Sequence, residues 1–567
     1  MYNEKRTNSF AEKLVQLKQA IISEEKKLMP SVKLHFGRKQ KFVLFLSLGN
    51  IDERAIVFSG IGNTVESAWK SAVNKAAKHM KKQKIFDFLW LKADLVNHIE
   101  SKPYTIWTNQ IAKMRKNYFR KGISFDPLFN TAFLEQEING NALIKESTHS
   151  HKMSLSETNI INYLKKTGKK QTAFTIRDSQ IIYEFTTISY FFEDKLIKLN
   201  NKEQFNGFRL IELTNKEIKH LITSSANFLA KQVKDNGEFI YGYFPCYDKK
   251  INWYNSLRHA STLYSMIEAY EVIPNLYVKE QIEKALDYLK KELIYTATTN
   301  DVAFVVDWRN QQEIKLGANA AAILALTKYM EVFQTLDDLH LARKLANGII
   351  HMQMNNGSFS HVLNYPSFQV KDEHRIIYYD GEAVFALMKL YNIDRNESWI
   401  NAVEKAFDYF IKKDYWKHHD HWLSYCTNEL TKFRPEDQYF QFGLQNVKEK
   451  LDFIYHRQTT YPTFLELMMA AYEMVKLIYK LEKDYLLIDF PVEYLKKAIE
   501  HRAYYQTTGF FYPELAMYFK RPKSIIGSFF IRHHSFRVRI DDIEHNLSGY
   551  CRYFLNKISE KNRVGTR

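Results

Sequence analysis

Between about residues 216 and 560, apolar positions recur with the period of an amphipathic α-helix. Helical segments of two kinds alternate in this part of the chain. Segments of the first kind are charged along one side, and they begin near residues 216, 275, 336, 397, 435 and 491. Segments of the second kind are apolar nearly all round and rich in small residues, and they begin near residues 258, 317, 381, 420, 463 and 541.

A helix that is apolar on every side must be buried between other helices, whereas a helix with a charged stripe lies at the surface. The two kinds interleave strictly, outer then inner, six times. This order predicts two concentric rings of helices, an all-α (α/α)6 toroid over residues 216–560.

A second repeat marks the connections between the two kinds of helix. NGEF (236–239), NGSF (356–359) and TGFF (508–511) each follow an outer segment and precede an inner one, with β character between them. Asn-Gly favours a tight turn, because glycine adopts the positive φ that the turn needs. The repeat predicts hairpins that all lie on one rim of the ring.

These hairpin sequences resemble those of the six-hairpin glycosidase-like superfamily. The resemblance is carried by NGSF (356–359), followed about twenty residues later by YYDGEA (378–383) and an apolar helix, and by WYNSLRHAST (253–262). It covers about residues 216–560 and implies carbohydrate metabolism or glycan processing. The superfamily includes glycoside hydrolases, unsaturated-uronide hydrolases and sugar epimerases, and related toroids include polysaccharide lyases. The fold does not fix which of these activities a member has.

The N-terminal third has a different pattern. In residues 1–125, a helical stretch (10–22) precedes three β-rich runs, VKLHFG, FVLFLSLG and RAIVFSG, and a helix follows over residues 64–82. This order predicts a small α/β module and loosely resembles that of double-stranded RNA-binding domains. Residues 126–215 predict a second small α/β region or linker unit without a catalytic signature. Residues 561–567 form a short basic tail.

The net charge of +17 is concentrated in the N-terminal third. Residues 1–210 contain 35 Lys and Arg against 20 Asp and Glu, whereas the remainder contains 46 against 44. A basic module beside a nearly neutral one indicates an anionic partner for the first, such as nucleic acid, a membrane surface or an acidic polymer. The alternative is a merely solvated basic surface.

Several classes of function lack their sequence signatures. The three cysteines, Cys246, Cys426 and Cys551, are far apart and form no CxxC pair, so neither a zinc knuckle nor a disulfide framework is indicated. No phosphate-binding loop, GxGxxG, GxSxG or HExxH motif occurs, and we expect no cofactor and no metal. Without a signal-peptide core or a long apolar run, we expect a cytoplasmic protein.

Polar residues concentrate at the N-terminal ends of the six inner segments, which a ring would bring to one central mouth. The candidate catalytic residues are Asp380, Glu382, Asp420, Asp541, Asp542, His259, His421 and His545. The candidate substrate-binding residues are Tyr254, Arg258, Asp307, Trp308, Asn319, Tyr379, Trp422 and Tyr461.

Two kinds of sugar chemistry fit these residue types. Hydrolysis needs two carboxylates, one of them kept protonated, and Asp380 or Glu382 could pair with Asp541 or Asp542 across the ring, or with the nearer Asp420. Epimerisation or elimination needs a general base beside an acid. The histidines and Tyr254 could supply that pair.

Each carboxylate also has a purely structural interpretation, because Asp at the start of a helix caps free backbone N–H groups. Three hypotheses therefore stay open. The first is a carbohydrate-active enzyme that hydrolyses or isomerises a glycan or oligosaccharide. The second is a non-catalytic toroid that binds a glycan or a protein. The third is a nucleic-acid-associated protein that uses the basic N-terminal third.

Overall fold

The structure is a computed structural model that describes residues 9–28, 41–85, 87–147, 151–167, 176–296 and 301–564. Three predicted stretches lie wholly or partly outside these ranges. They are the run VKLHFG (32–37), the first four residues of the β-rich run TAFTIRD (172–178), and residues 565–567 of the basic tail. No helix in the described ranges is both long enough and apolar enough to cross a membrane.

The described residues of the N-terminal region form six α-helices and nine strands. The helices are α1 (Phe10–Ser23), α2 (Glu25–Leu28), α3 (Val65–Gln83), α4 (Tyr104–Ile111), α5 (Glu135–Gly140) and α6 (Glu157–Lys166). The strands are β1 (Phe42–Gly49), β2 (Ile56–Gly62), β3 (Trp90–Pro103), β4 (Gly122–Ser124), β5 (Ala132–Phe133), β6 (Ile144–Glu146), β7 (Met153–Leu155), β8 (Ile181–Phe192) and β9 (Leu196–Lys198).

One antiparallel sheet joins strands from both sides of residue 125. Its order is β2-β1-β3-β8-β4-β5, with β9 added at β8. The two longest strands, β3 and β8, pair from Leu91 opposite Phe192 to Pro103 opposite Ile181. Residues 1–125 and 126–215, predicted as separate units, therefore share a sheet, because β8 supplies the partner that the long edge of β3 requires. Helices α1 and α3 pack on this sheet.

The rest of the chain is mostly helical. Its helices are α7 (Asn215–Gln232), α8 (Ser256–Val272), α9 (Leu276–Tyr288), α10 (Leu316–Phe333), α11 (Leu339–His351), α12 (Tyr378–Asp394), α13 (Glu397–Lys412), α14 (His421–Leu430), α15 (Asp437–Lys448), α16 (Leu451–His456), α17 (Thr463–Lys480), α18 (Val492–Gln506), α19 (Pro513–Ala516) and α20 (Ile540–Val564).

Six of these helices close into an inner ring. Contacts run in order from α8 to α10, α12, α14, α17 and α20, and α20 returns to α8. Helices α7, α9, α11, α13, α15 and α18 pack outside this ring. The predicted alternation of outer and inner helices is therefore present in the structure. The inner helices are buried on most sides, which is why their sequences lack a charged stripe.

Short strands connect the helices on the rim of the ring. They are β10 (Gly242–Phe244), β11 (Lys249–Lys250), β12 (Ile294–Thr296), β13 (Ala303–Asp307), β14 (Glu313–Lys315), β15 (Val362–Asn364), β16 (Val370–Asp372) and β17 (Val538–Arg539). β12 to β16 form one sheet in sequence order. β14 and β17 lead directly into the inner helices α10 and α20.

The two Asn-Gly turns have the predicted geometry. Gly237 and Gly357 have φ angles of 89° and 96°, and β-bridges join Val233 to Phe239 and Gln353 to Phe359. The third repeat differs, because residues 507–509 form a 3-10 turn and Phe510 bridges to Phe529 instead. Its first residue is Thr rather than Asn, so the tight-turn signal is weaker there.

The sheet of the N-terminal region packs directly against the toroid. Met517 and Tyr518, from the loop after α19, belong to the same apolar cluster as strands β1 and β3. The Ser47 hydroxyl lies 2.8 Å from the Tyr518 hydroxyl, and the Ala55 amide donates to the Met517 carbonyl at 2.7 Å. Buried contacts therefore join the N-terminal sheet to the toroid.

Candidate active site

Five of the six inner helices bring polar side chains to one end of the ring. Arg258 lies in the first turn of α8, Glu382 near the start of α12, His421 at the start of α14 and Glu466 in the first turn of α17. Asp541, Glu544 and His545 lie in the first two turns of α20. The predicted mouth is therefore a real convergence of residues that are distant in sequence.

Two imidazoles meet one carboxylate at the centre of this mouth. His545 Nδ1 lies 2.9 Å from Glu466 Oε2, and His421 Nε2 lies 3.9 Å from the same oxygen. The two rings are 5.2 Å apart and nearly perpendicular. His421 Nε2 is buried without a hydrogen-bond partner among the described residues, so this nitrogen is available to a ligand.

Arg258 completes this group on the opposite side of His545. Its guanidinium lies 3.3 Å from Glu544 Oε1, 3.5 Å from His545 Nε2 and 3.6 Å from Asp541 Oδ2. The Glu544 carboxylate also accepts hydrogen bonds of 2.7–2.8 Å from the hydroxyls of Ser261 and Thr262. About a quarter of the Arg258 side chain (26%) is exposed, so its charge faces the open end of the ring.

The electrostatic environment gives the two histidines opposite protonation preferences. Burial, together with the positive charges of His545 and Arg258, holds the pKa of His421 well below its usual range. Burial also opposes a charge on His545, but the contact with Glu466 outweighs it and raises the pKa of His545 above the usual value. The mouth therefore holds a neutral imidazole beside one that favours the charged form.

Glu382 is the third buried ionisable group at the mouth. Its Oε2 has no hydrogen-bond partner among the described residues, and burial raises the pKa of Glu382 to about 7. The carboxylate lies over Gly317 of α10, where an added Cβ atom would come 2.0 Å from Oε2. Glycine at this position thus creates the space that Glu382 occupies.

Asp420 has a capping role on the neighbouring helix. Its Oδ1 accepts a 2.9 Å hydrogen bond from the Trp422 amide at the start of α14. Its Oδ2 is buried without a partner among the described residues, and burial raises the pKa of Asp420 well above the usual range. Asp420 is therefore an N-cap that also presents one unpaired oxygen.

The Asp541–Asp542 pair is held by arginine. Arg539 Nε lies 3.0 Å from Asp541 Oδ1, and Arg539 makes two hydrogen bonds of 2.8 and 3.0 Å to Asp542. Asp542 is therefore occupied by a bidentate ion pair. Asp541 is nearer to the mouth, since it also contacts Arg258.

The Asp380 side chain contacts a histidine, His361, that holds the loop before α12. Its Oδ2 lies 3.0 Å from His361 Nε2, and His361 Nδ1 accepts hydrogen bonds from the amides of Arg375 and Ile376 at 2.9 and 3.2 Å. Both nitrogens of His361 are therefore in use. Asp380 therefore contacts the imidazole that accepts hydrogen bonds from the loop before α12.

His259 lies in the protein core and not at the mouth. Its Nδ1 is 2.6 Å from the Tyr254 hydroxyl and its Nε2 is 2.8 Å from the Ala285 carbonyl. Burial lowers the pKa of His259 to about 4. Both nitrogens of His259 are therefore bonded inside the protein, and the structure places His259 and Tyr254 away from the mouth cluster.

Three other candidates support the start of α10 or the rim. Asn319 accepts from the Val305 amide and donates to the Lys315 carbonyl, both at 2.8 Å. Asp307 forms an ion pair of 2.6 Å with Lys315. Trp308 is 41% exposed and donates to the Glu292 carbonyl at 2.9 Å. These contacts join β13 to its neighbours, so the structure does not bring these residues into the mouth cluster.

Three aromatic candidates, Trp422, Tyr379 and Tyr461, lie at or near the mouth. The Trp422 ring lies 4.8 Å from that of His421 and 6.2 Å from that of His545. Tyr379 lies beside Gly317 and Glu382, and burial raises the pKa of Tyr379. Tyr461 is 40% exposed at the start of the fifth inner helix. Aromatic faces next to polar groups suit the apolar faces and hydroxyls of a sugar.

Glu466 and Glu544 are central to the mouth but are not among the residues predicted from sequence. A signal exists for Glu466, because it is a carboxylate inside a segment that is otherwise apolar nearly all round (TFLELMMAA). A buried carboxylate needs a partner or a function. Glu544 lies among other polar residues (DDIEHN), so no such contrast distinguishes it in the sequence.

Two trios of described residues place ligand atoms close enough for a metal ion. They are His361, His374 and Asp380, and His421, Glu466 and His545. In the first trio His361 has no nitrogen to spare. In the second trio His421 Nε2 is unpaired, but Arg258 places a fixed positive charge beside His545. The second trio is therefore better suited to proton transfer than to a cation.

The fold and mouth together define a helical toroid with a cluster of acid–base groups at one end. No protein-family model matches the chain, and neither does any of the curated proteins compared with it. Among solved structures, the chain is similar to a cellobiose 2-epimerase from Bacillus thermoamylovorans, with 14% identity and a TM-score of 0.45 over 60% of this chain and 100% of the epimerase.

Two further solved structures are similar to the chain at the same level. One is a D-mannose isomerase, with 11% identity and a TM-score of 0.45 over 61% of this chain and 100% of the isomerase. The other is a glycoside hydrolase family 76 mannosidase from Bacteroides thetaiotaomicron, with 11% identity and a TM-score of 0.44 over 61% of this chain and 100% of the mannosidase.

Proposed function

We propose that this protein is a carbohydrate-active enzyme that epimerises or isomerises a sugar by proton transfer at the mouth of the toroid. The observation that carries the proposal is the contact of His421 and His545 with one carboxylate, Glu466, beside Arg258. A base and an acid held side by side next to a fixed positive charge are what proton exchange next to a carbonyl requires.

In the proposed reaction, neutral His421 accepts a proton from the carbon next to the sugar carbonyl. The electron pair of the broken C–H bond moves to the carbonyl oxygen, and Arg258 stabilises the resulting oxyanion. Charged His545 returns a proton to the same carbon from the other face, which gives the epimer. When the proton returns instead to the former carbonyl carbon, the hydroxyl proton of the first carbon moves to the former carbonyl oxygen, which gives the isomer. One imidazole gains the proton that the other loses, so protons balance.

The surrounding groups fit a sugar substrate. Trp422 and Tyr379 offer aromatic faces, while the unpaired oxygens of Glu382 and Asp420 can accept hydrogen bonds from hydroxyl groups. Glu466 orients His545 and supports its charge. Substrate hydroxyls would thus satisfy polar atoms that are otherwise buried without partners.

Glycoside hydrolysis is the second candidate, and Glu382 favours it. Since burial raises the pKa of Glu382 to about 7, a substantial fraction of this carboxyl is protonated at neutral pH and could serve as general acid. A second carboxylate, Asp541 or Glu544, would then act as base or nucleophile. This reaction needs no proton exchange at carbon.

Incubation of the full chain in deuterated water with a panel of reducing mono- and oligosaccharides separates the two reactions. Proton transfer at carbon incorporates deuterium into a C–H position, which nuclear magnetic resonance detects together with the new sugar. Hydrolysis produces new reducing ends without such incorporation. New reducing ends without deuterium at carbon would reject epimerisation in favour of hydrolysis.

The roles of the histidines are tested with His421→Gln and His545→Gln. Each variant should lose at least about a hundredfold of the exchange rate, the usual contribution of a general acid or base. His340→Gln is the matched control, because His340 is exposed on the outer helix α11. Exchange at the wild-type rate in both mouth variants would contradict the proposed site.

A further inference from the structure

A large groove lies between the N-terminal sheet and the toroid. Its volume is 1380 Å³, and its walls come from residues 102–121, from residues 201–206 and from α16 with the segment after it. A cavity of this size is large enough for a ligand of several sugar rings. Nothing in the proposed reaction at the mouth uses this groove.

The groove has more positive than negative lining side chains. Five are Lys or Arg and three are Asp or Glu. Glu184 is neutralised by Lys102 and Lys121, with N–O distances of 3.0 and 2.6 Å. Asp452 pairs with His456 at 3.2 Å. The third carboxylate, Glu449, is exposed at the edge.

Two arginines on opposite walls remain without a carboxylate partner among the described residues. Arg115 belongs to the N-terminal region and lies 5.7 Å from the centre of the Tyr118 ring. Arg457 follows α16 of the toroid and lies 5.1 Å from the centre of the Phe453 ring. Tyr118 and Phe453 also line the groove. Each wall therefore offers a guanidinium beside an aromatic face, which suits a charged sugar.

A basic segment, residues 532–539, links the groove to the mouth. Asn117 Nδ2 donates to the Arg532 carbonyl at 2.7 Å, which ties this segment to the groove wall. Burial lowers the pKa of His533 to about 4, and the charges of Arg115, Arg457 and Arg537 contribute, so these groups lie near one another. His533 Nδ1 is buried without a hydrogen-bond partner among the described residues.

The same segment reaches the acid–base cluster at its other end. Arg537 lies 3.7 Å from Asp542, and Arg539 contacts both Asp541 and Asp542. Asp541 in turn contacts Arg258 at the mouth. Arg537 and Arg539 are thus paired with carboxylates on the mouth side of this segment, and the unpaired positive charge among the described groove residues is that of Arg115 and Arg457, where it attracts a negatively charged molecule.

We propose that the groove binds an acidic glycan, a chain of sugars with carboxylate or sulfate groups, through Arg115 and Arg457. This proposal rests on the proposed function for its substrate class. It places the anionic partner of the basic N-terminal third at the junction with the toroid rather than on the N-terminal region alone.

Binding of fluorescent oligosaccharides to the full chain tests the proposal. The probes are a galacturonate oligomer, a heparin oligomer and a neutral maltose oligomer of equal length, and the two acidic probes distinguish carboxylate from sulfate recognition. At least one acidic probe should bind at least about tenfold more tightly than the neutral probe, and its affinity should fall with added salt. Equal binding of all three probes would overturn the proposal.

The double variant Arg115→Gln/Arg457→Gln should weaken acidic-probe binding by at least about tenfold, because it removes two charge-assisted contacts. The matched control is Arg395→Gln/Lys432→Gln, which removes the same charge from a separate groove on another face. Thermal melting of both variants checks folding. Equal loss in both variants, or tighter binding of a single-stranded RNA oligomer than of either glycan, would overturn the proposal.

Failure of the groove and failure of the proposed function are distinguishable. If both proposals hold, His545→Gln lacks turnover but binds the acidic probe with wild-type affinity. If the wild type converts no sugar but binds the acidic probe, and the arginine double variant loses that binding while its control does not, the groove proposal stands and the proposed function fails. If the wild type converts sugars but binds no acidic probe, the groove proposal fails alone.

Discussion

The imidazole of His545 and the carboxylate of Glu466, 79 residues apart in sequence, lie 2.9 Å apart on adjacent inner helices. The contact joins α20 to α17 at the point where the ring opens. Because Glu466 supports the charge of His545 while His421 stays neutral on the other side, a single carboxylate separates the protonation states of two neighbouring histidines.

Glu466→Gln should shift the pH dependence of activity. The pKa of His545 lies above its usual value in the wild type, so activity that needs charged His545 is present at lower pH and lost as pH rises through that pKa. Removing the Glu466 charge lowers the pKa of His545, and the loss should then occur at lower pH. A pH–rate profile measures this shift.

Glu493→Gln is the matched control for that experiment, because the Glu493 side chain is 85% exposed on outer helix α18. Its pH–rate profile should coincide with that of the wild type. A profile for Glu466→Gln that is lower at every pH but unshifted would show that Glu466 only supports the fold.

Glu382→Gln should lower activity while making stability less dependent on pH. Burial raises the pKa of Glu382 from 4.5 to about 7. Between these two values the carboxyl ionises in the unfolded chain but stays largely protonated in the folded protein. The folded state therefore loses stability as the pH rises from 4.5 toward 7. The cost at pH 7 and above is on the order of 3 kcal/mol. The variant should therefore gain melting temperature relative to the wild type between pH 5 and pH 8.

The control for Glu382→Gln is again an exposed glutamate, Glu493, whose substitution should leave the pH dependence of the melting temperature unchanged. A melting-temperature difference between Glu382→Gln and the wild type that is the same at pH 5 and pH 8 would contradict the raised pKa of Glu382. Unchanged activity in the variant would remove Glu382 from the candidate site.

The toroid was predictable because its signal is local and repeated. The period of apolar positions distinguishes a buried helix such as α10 from a surface helix such as α11, and six repetitions fix the order of the rings. The sheet was less predictable. The pairing of β3 with β8 joins residues about ninety positions apart, and no local pattern specifies which strands become neighbours.

The candidate site was predictable in its location but only partly in its members. Helix starts converge in any such ring, and the structure places Arg258, His421 and His545 at the mouth. Successive residues of a helix point about 100° apart, so one step along the chain can turn a polar side chain from the mouth to the core. His259 follows Arg258 directly yet points into the core, so sequence position alone could not separate them.

Gly317→Ala should impair activity without a comparable loss of stability. The new Cβ atom would come 2.0 Å from Glu382 Oε2, so the carboxylate must leave its position. Alanine otherwise favours a helix over glycine by roughly 1 kcal/mol, which offsets part of the strain. Activity and melting temperature measured together test this expectation.

Gly549→Ala provides the matched control on another inner helix. There the added Cβ atom would have no neighbour closer than 3.4 Å, an ordinary contact. This variant should keep wild-type activity and melt at the same or a higher temperature. Wild-type activity in Gly317→Ala would show that the position of the Glu382 carboxylate does not matter for turnover.

Asp380→Asn tests whether this residue positions a loop or takes part in the chemistry. Asn cannot balance the imidazole of His361 as a carboxylate does, so the loop that His361 holds through Arg375 and Ile376 should loosen. We expect a loss of about 1–3 kcal/mol in the free energy of unfolding. Turnover should fall moderately, and the pH–rate profile of the remaining activity should keep its wild-type shape.

His361→Asn should reproduce the same losses, because it breaks the same contact from the other side. An unchanged stability together with a shifted pH–rate profile in Asp380→Asn would instead assign the carboxylate a role in proton transfer.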